Sequence, residues 1–207
     1  VALWFQLSLI VECRGRVERA LASLEPGSSR GARREMQLYA ALGASLIQIK
    51  GHVPETGAAW TNALQFAERL DDAEYQLRAL WGLWSYRLSR GEHRAAQALA
   101  QRFSSLAANT DDPADLLIGA RLVGVSLHYL GDQADARRHL ERMLRHYVAP
   151  VYRPHAIRFQ YDQRMMARAT LAWILWLQGF PDQAMRTAKS NVEEARASDH
   201  ALSLCYA

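Results

Sequence analysis

The chain has 207 residues, 50% of them hydrophobic and 22% charged, with a formal net charge of +4. Those proportions suit a folded chain with a sizeable buried core and exclude a disordered polar tract. No apolar run reaches the roughly 18 residues of a membrane-spanning helix, and the cations are spread among acids rather than gathered on one stretch, which argues against a nucleic-acid binder.

The opening run VALWFQLSLIVEC is apolar, but Glu12 and Arg14 stop it and it has no basic start, so it does not read as a secretory signal. The chain starts at Val1 and ends inside an apolar run (Ala201, Leu202, Leu204), which predicts a piece of a longer protein. Cys13 and Cys205 stand near opposite ends and form no Cys-x-x-Cys pair; a disulfide framework or zinc knuckle is not expected, and a cytoplasmic setting is.

Repeats organise everything that follows. Five glycines each follow one apolar helical stretch and precede another: Gly15, Gly51, Gly91, Gly131 and Gly179, at spacings of 36, 40, 40 and 48. A chain reversing between two antiparallel helices needs a residue that accepts left-handed backbone angles, and glycine does so without a Cβ penalty. Five residues after these glycines stand Ala20, Thr56, Ala96, Ala136 and Ala184, small side chains that let the second helix pack closely on the first. Nine residues after come Leu24, Trp60, Ala100, Leu140 and Ala188, which continue the apolar face. Seven residues before stand Ser8, Ala44, Trp84, Gly124 and Ala172, with Trp84 breaking the small-residue rule.

In chain order the units cover approximately 1–30, 34–72, 74–110, 114–148 and 162–198. Glu25 to Gly31 reads as a loop, Asn109 to Pro113 as a turn, and Pro181 as lying near the start of a second helix, where its missing N–H costs little. The long fourth spacing places a loop insertion at 149–161, marked by Pro150 and Pro154. From Arg137 to Arg168 eight arginines are interleaved with Tyr147, Tyr152, Phe159 and Tyr161, a stretch that could meet an acidic partner or nucleic acid, or serve as a solvated helix face with a loop folded over the groove. Strand alternation is absent, so the expected fold is all-α with about ten helices.

The segments YLGDQADARRHLERML and LQGFPDQAMRTAKSNVEEAR resemble tetratricopeptide units, and LWGLWSYRLSRGEHRAAQALAQ and LAWILWLQGFPDQA are similar to the helical repeat arm of large bacterial signalling ATPases and transcriptional regulators. The resemblance implies a right-handed superhelix, an α-solenoid of about five antiparallel helix pairs. It also implies a protein- or peptide-binding scaffold, the sensor or regulatory arm of a longer protein, whose partner could be another domain of the same chain. The first helix of each pair would line the inner groove. The offsets of that fold place Ser45 and Gln48 in the groove, then Arg78, Trp81, Ser85 and Leu88, then Arg121, His128 and Tyr129, and last Trp173 and Trp176. Trp81 and Trp84 share the three-residue spacing of Trp173 and Trp176, and one of each pair is expected to be exposed. Two alternatives stand beside this reading: homodimerisation through the end helices, and a small-molecule sensor that receives an anion near Arg121 and His128.

Catalytic and metal chemistry find little footing. The Gly-x-x-x-x-Gly-Lys-Ser/Thr phosphate loop, the Gly-x-Ser-x-Gly elbow and the His-Glu-x-x-His zinc motif are all absent. His139 and His146, seven apart, could share a face but lack a third ligand. Asp71–Asp72, Asp111–Asp112 and Glu193–Glu194 read as helix-end acids. The expectation is a non-enzymatic chain with no cofactor and no metal.

Overall fold

Four glycines adopt the backbone that reversal between helices demands: Gly51, Gly91, Gly131 and Gly179 have φ of +76°, +76°, +93° and +83°. A Cβ at any of them would meet nothing within 4 Å, so the requirement is conformational and not steric. The computed structural model describes residues 2–7, 9–24, 29–147, 158–197 and 201–207. Eleven helices lie among the described residues, with no strand.

The chain divides into two compact units, Val1–Leu99 and Ala100–Ala207. The first holds α1 (Ala2–Gln6), α2 (Ile10–Ala22), α3 (Ser29–Lys50), α4 (Pro54–Arg69), α5 (Ala73–Ser89) and the start of α6 (His93–Ala107). The second continues through α7 (Pro113–Leu130), α8 (Gln133–His146), α9 (Gln163–Leu177), α10 (Pro181–Ala197) and α11 (Ala201–Tyr206). In the first unit α5 packs on both α3 and α4; in the second, α9 packs on both α7 and α8. The α3–α4 and α7–α8 pairs thus each receive the helix that follows them in the groove between their members.

Aspartate caps recur at the first helix of the pairs. Asp72, Asp112 and Asp162 stand at the N-caps of α5, α7 and α9, and each side chain accepts from a backbone N–H of the first turn, at 3.1, 2.9 and 2.8 Å. Each such cap stabilises a helix by about 1 kcal/mol. Two of the three come from the acid pairs that the sequence marks as helix-end residues.

Close approach follows the small-residue rule. In the second unit a Cβ on Gly124 of α7 would stand 3.1 Å from the Ala136 carbonyl of α8, and Ala136 is fully buried. In the first unit one large side chain replaces many small ones. The Trp60 indole of α4 lies in a slot between Gly43 of α3 and Gly82 of α5, where a Cβ would fall 2.7 and 2.3 Å from its ring.

Two expectations need correction. Gly15 is not a turn glycine: it lies inside α2, and the helices part further back, where α1 ends at Gln6 and α2 begins at Ile10. A glycine with its neighbours in helical geometry carries no turn signal of its own. The loop expected from Glu25 to Gly31 is shorter, because α3 begins at Ser29 and Gly31 is buried within it. Residues 25–28, Ser8 and positions 149–157 of the expected insertion lie outside the described residues.

Candidate functional site

In the first unit the residues expected to line a groove are mostly enclosed. Ser45 is fully buried and its hydroxyl donates to the Ala41 carbonyl of its own helix at 2.8 Å. Trp81 and Trp84 are 1% and 2% exposed. The expectation that one of this pair is exposed fails because α5 is covered round most of its circumference, from Leu77 through Tyr86. Arg78 is half-buried, with its guanidinium 4.9 Å from the centre of the Tyr75 ring. Leu88 is half-buried and only Gln48 of this set is exposed.

Ser85 is buried and hydrogen-bonds His52 Nε2 at 2.9 Å, which ties the α3–α4 turn to α5. Burial lowers the His52 pKa, and burial with the nearby Arg142 does the same at His139 on α8. The fold therefore prefers both rings neutral. Their contribution to stability is complete above the unfolded value of about 6.5 and is lost as pH falls through 6.5 toward the lower folded values. Between pH 7.5 and pH 5, a His52→Gln, His139→Gln double variant should lose less of its urea midpoint than the wild type. Equal losses would remove these two rings as the source.

The second unit is different. Arg121 is fully buried on α7, 6.0 Å from the centre of the Tyr161 ring. Burial opposes its charge while Tyr161 supports it, and burial likewise raises Tyr161 and Tyr147. Arg121 is thus a core residue and not an exposed groove contact. The basic, aromatic stretch follows the same course over its described part. Tyr147, Phe159 and Tyr161 are buried, Arg158 pairs with buried Asp115, and Arg137, Arg138 and Arg168 pair with Glu141, Asp135 and Glu194. Tyr152 and Arg153 lie outside the described residues.

The structure does bring His128, Tyr129 and Trp173 together. His128 is fixed by Gln133, whose side-chain oxygen accepts from Nδ1 (2.8 Å) and whose amide donates to the His128 carbonyl (3.0 Å). Its ring lies 5.1 Å from Tyr129, edge-on, and 6.2 Å from Trp173. Trp173 and Trp176 are 52% and 63% exposed, so both of this pair face outward where one was expected to. Spacing along a helix identifies a shared face; what covers that face decides burial, and the two pairs differ in that respect alone.

Beside the tryptophans lies a groove of about 240 Å³ between α9, α10 and α11. Ala169, Ala172, Ala184 and Ala188 form its floor, with Trp173, Trp176, Met185 and Tyr206 at its rim. Sequence reasoning finds the tryptophans but misses Met185 and Tyr206, which belong to the neighbouring helices. Leu177 and Phe180 extend the exposed apolar surface at the end of α9.

No protein-family profile matches the sequence, and no curated relative matches it. Solved structures do resemble the fold. The apo form of RapI superposes with a TM-score of 0.73 at 12% identity, over 95% of this chain and 68% of that one. TPR-like repeats of a putative kinesin light chain from Podosopora anserina superpose with a TM-score of 0.61 at 14% identity, over 95% of this chain and 92% of that one. A single-residue variant of those repeats gives 0.62 at 14% identity, over 94% and 91%. The fold is therefore an all-α, tetratricopeptide-like repeat. No described helix is long and apolar enough to cross a membrane.

Proposed function

We propose that this chain is a protein-binding repeat scaffold whose contact surface is the aromatic groove of the second unit. The observation that carries the reading is the double exposure of Trp173 and Trp176 over an alanine floor. Tryptophan is enriched among residues that dominate interface energetics, and two held on one rigid helix lose little entropy on binding. The groove surface is made mostly of Ala, Trp, Met and Tyr side chains, which suit apolar recognition. The likeness of its repeat segments to the arm of bacterial signalling ATPases supports a finer reading. On it the groove receives a signal-bearing protein, or another domain of the parent chain, and reports to a switch outside these residues.

The test is a selection for groove-dependent binders from displayed peptide libraries, followed by affinity measurement on a Trp173→Ala, Trp176→Ala double variant. Each tryptophan should contribute about 2 kcal/mol, roughly 30-fold in Kd. Both side chains stand outside the core, so the variant should keep the wild-type helical signal and melting temperature. Binders that hold the variant as tightly as the wild type would place the contact surface elsewhere.

A further inference from the structure

We propose that the outward face of α8 is a second contact surface, one that takes an acidic segment of a partner protein. It is separate from the aromatic groove and does not depend on it. Three observations carry it.

The first is the division of the helix into two stripes. Ala136, Leu140 and Met143 step by four and three along α8 and are fully buried. Arg138, Arg142 and Arg145 step by four and three on the opposite side, and all three are exposed. From Arg138 to Arg145 the stripe is about 10 Å long at 1.5 Å per residue. Within the second unit α8 packs on both α7 and α9. The stripe thus belongs to the flank of the repeat and not to a terminal helix.

The second is charge that the helix does not neutralise. Asp135 pairs with Arg138, and Glu141 with Arg137 at 2.7 Å. Among the described residues Arg142 and Arg145 meet no carboxylate; Arg145 Nε donates to the Glu141 backbone carbonyl at 3.3 Å. The negative end of a helix favours cations within its last turn, which accounts for Arg145 and not for Arg142. His139 senses the surplus. Its pKa is lowered first by burial and then by Arg142, with Asp135 opposing and Arg138 adding to the fall.

The third is what the face offers and lacks. A membrane-bound helix needs apolar side chains beside its cations, and α8 exposes no large one. Its sequence holds no Phe, Tyr or Trp on which the bases of a single strand could stack. Three arginines fall short of the phosphate contacts, on the order of 6–10, that hold a duplex. A second copy of this chain carries a net charge of +4 and is repelled on average. Carboxylates remain, and the planar guanidinium fork suits them, as Arg158 shows by gripping Asp115 at 2.7 and 3.2 Å in the same unit.

The experiment uses the intact chain at low salt and three probes: a Glu-rich peptide, an oligothymidylate of equal charge, and vesicles of phosphatidylserine. Each is measured on wild type, on the Arg142→Gln, Arg145→Gln variant, and on Arg34→Gln, Arg186→Gln, which removes the same charge from exposed positions elsewhere. Glutamine matches arginine in helix propensity, so all should fold alike. The Glu-rich peptide should bind tightest. The α8 variant should weaken it about five-fold and the control variant by less than about two-fold. Histidine NMR titration should show the His139 pKa rising in the peptide complex, because added carboxylates offset the arginines beside it. The Trp173→Ala, Trp176→Ala variant should bind the peptide as the wild type does. Equal weakening by the α8 and control variants would reduce the effect to net charge and overturn the site. Tighter binding of oligothymidylate or vesicles that depends on Arg142 and Arg145 would assign the face to nucleic acid or to a membrane and overturn a protein partner. Loss of the peptide on the tryptophan variant would move the contact to the aromatic groove. An unmoved His139, or no binding of any probe, would also overturn the proposal.

Discussion

Replacing Gly82 by Ala should destabilise the first unit, and the same replacement in a Trp60→Ala background should stabilise it. Gly82 lies mid-helix in α5, where alanine would ordinarily gain about 1 kcal/mol in helix propensity. In the wild type that gain is overrun. The new Cβ would fall 2.3 Å from the Trp60 ring, and the ring cannot retreat because α3 lies against its other side, so close at Gly43 that a Cβ there would come within 2.7 Å. Overpacking of a fixed core costs about 1–3 kcal/mol. Trp60 is 1% exposed, so Trp60→Ala alone should cost about 3–5 kcal/mol, among the largest single effects in this chain. With the indole gone, the Gly82 site has room, and the propensity term stands alone with its sign reversed. Urea denaturation followed by the emission of Trp81 and Trp84, both buried nearby in sequence on α5, reads all four corners of the cycle. Equal effects of Gly82→Ala in the two backgrounds would show that Gly82 serves something other than the tryptophan.

That slot also shows where sequence reading stops. Gly43 and Gly82 have apolar neighbours and sit within helices, whereas Gly51 and Gly91 have charged or polar neighbours and sit in turns. The turn glycines are legible because the residues flanking them change helical face and carry small residues at fixed offsets. Gly15 meets the same criteria and is nonetheless helical, because a local pattern cannot report whether the chain has a partner to reverse onto. The slot glycines are legible only once Trp60 is known to lie between α3 and α5. The groove has the same character. Trp173 and Trp176 are named by the offsets of the repeat, while Met185, Ala188 and Tyr206 are brought to them by the packing of α10 and α11. Arg121 shows the opposite failure. Its offset points to the groove, but Tyr161, about forty residues further along, comes back to enclose it.

Asp115→Ala should cost the second unit about 3–5 kcal/mol, because it strands a charge. Asp115 is 1% exposed in the first turn of α7, and Arg158 meets it with two guanidinium nitrogens at 2.7 and 3.2 Å. Paired in this two-pronged geometry, the ions compensate each other's loss of water; with the carboxylate removed, the half-buried Arg158 guanidinium keeps its desolvation without its partner. Arg158→Ala should cost a similar amount by leaving the carboxylate. The double variant Asp115→Leu, Arg158→Met should recover most of the loss, since apolar side chains of similar size need no compensation. A small deficit should persist, because Asp115 also favours the positive end of α7 and takes a 3.4 Å contact from Thr110. The buried tryptophans belong to the first unit, so hydrogen exchange over residues 113–130 is the measurement that isolates the effect. Strictly additive single losses would make Arg158 and Asp115 independent. A strong positive coupling would instead make this pair the anchor that returns the chain from residue 147 to α9, and so holds the head of the helix that carries Trp173 and Trp176.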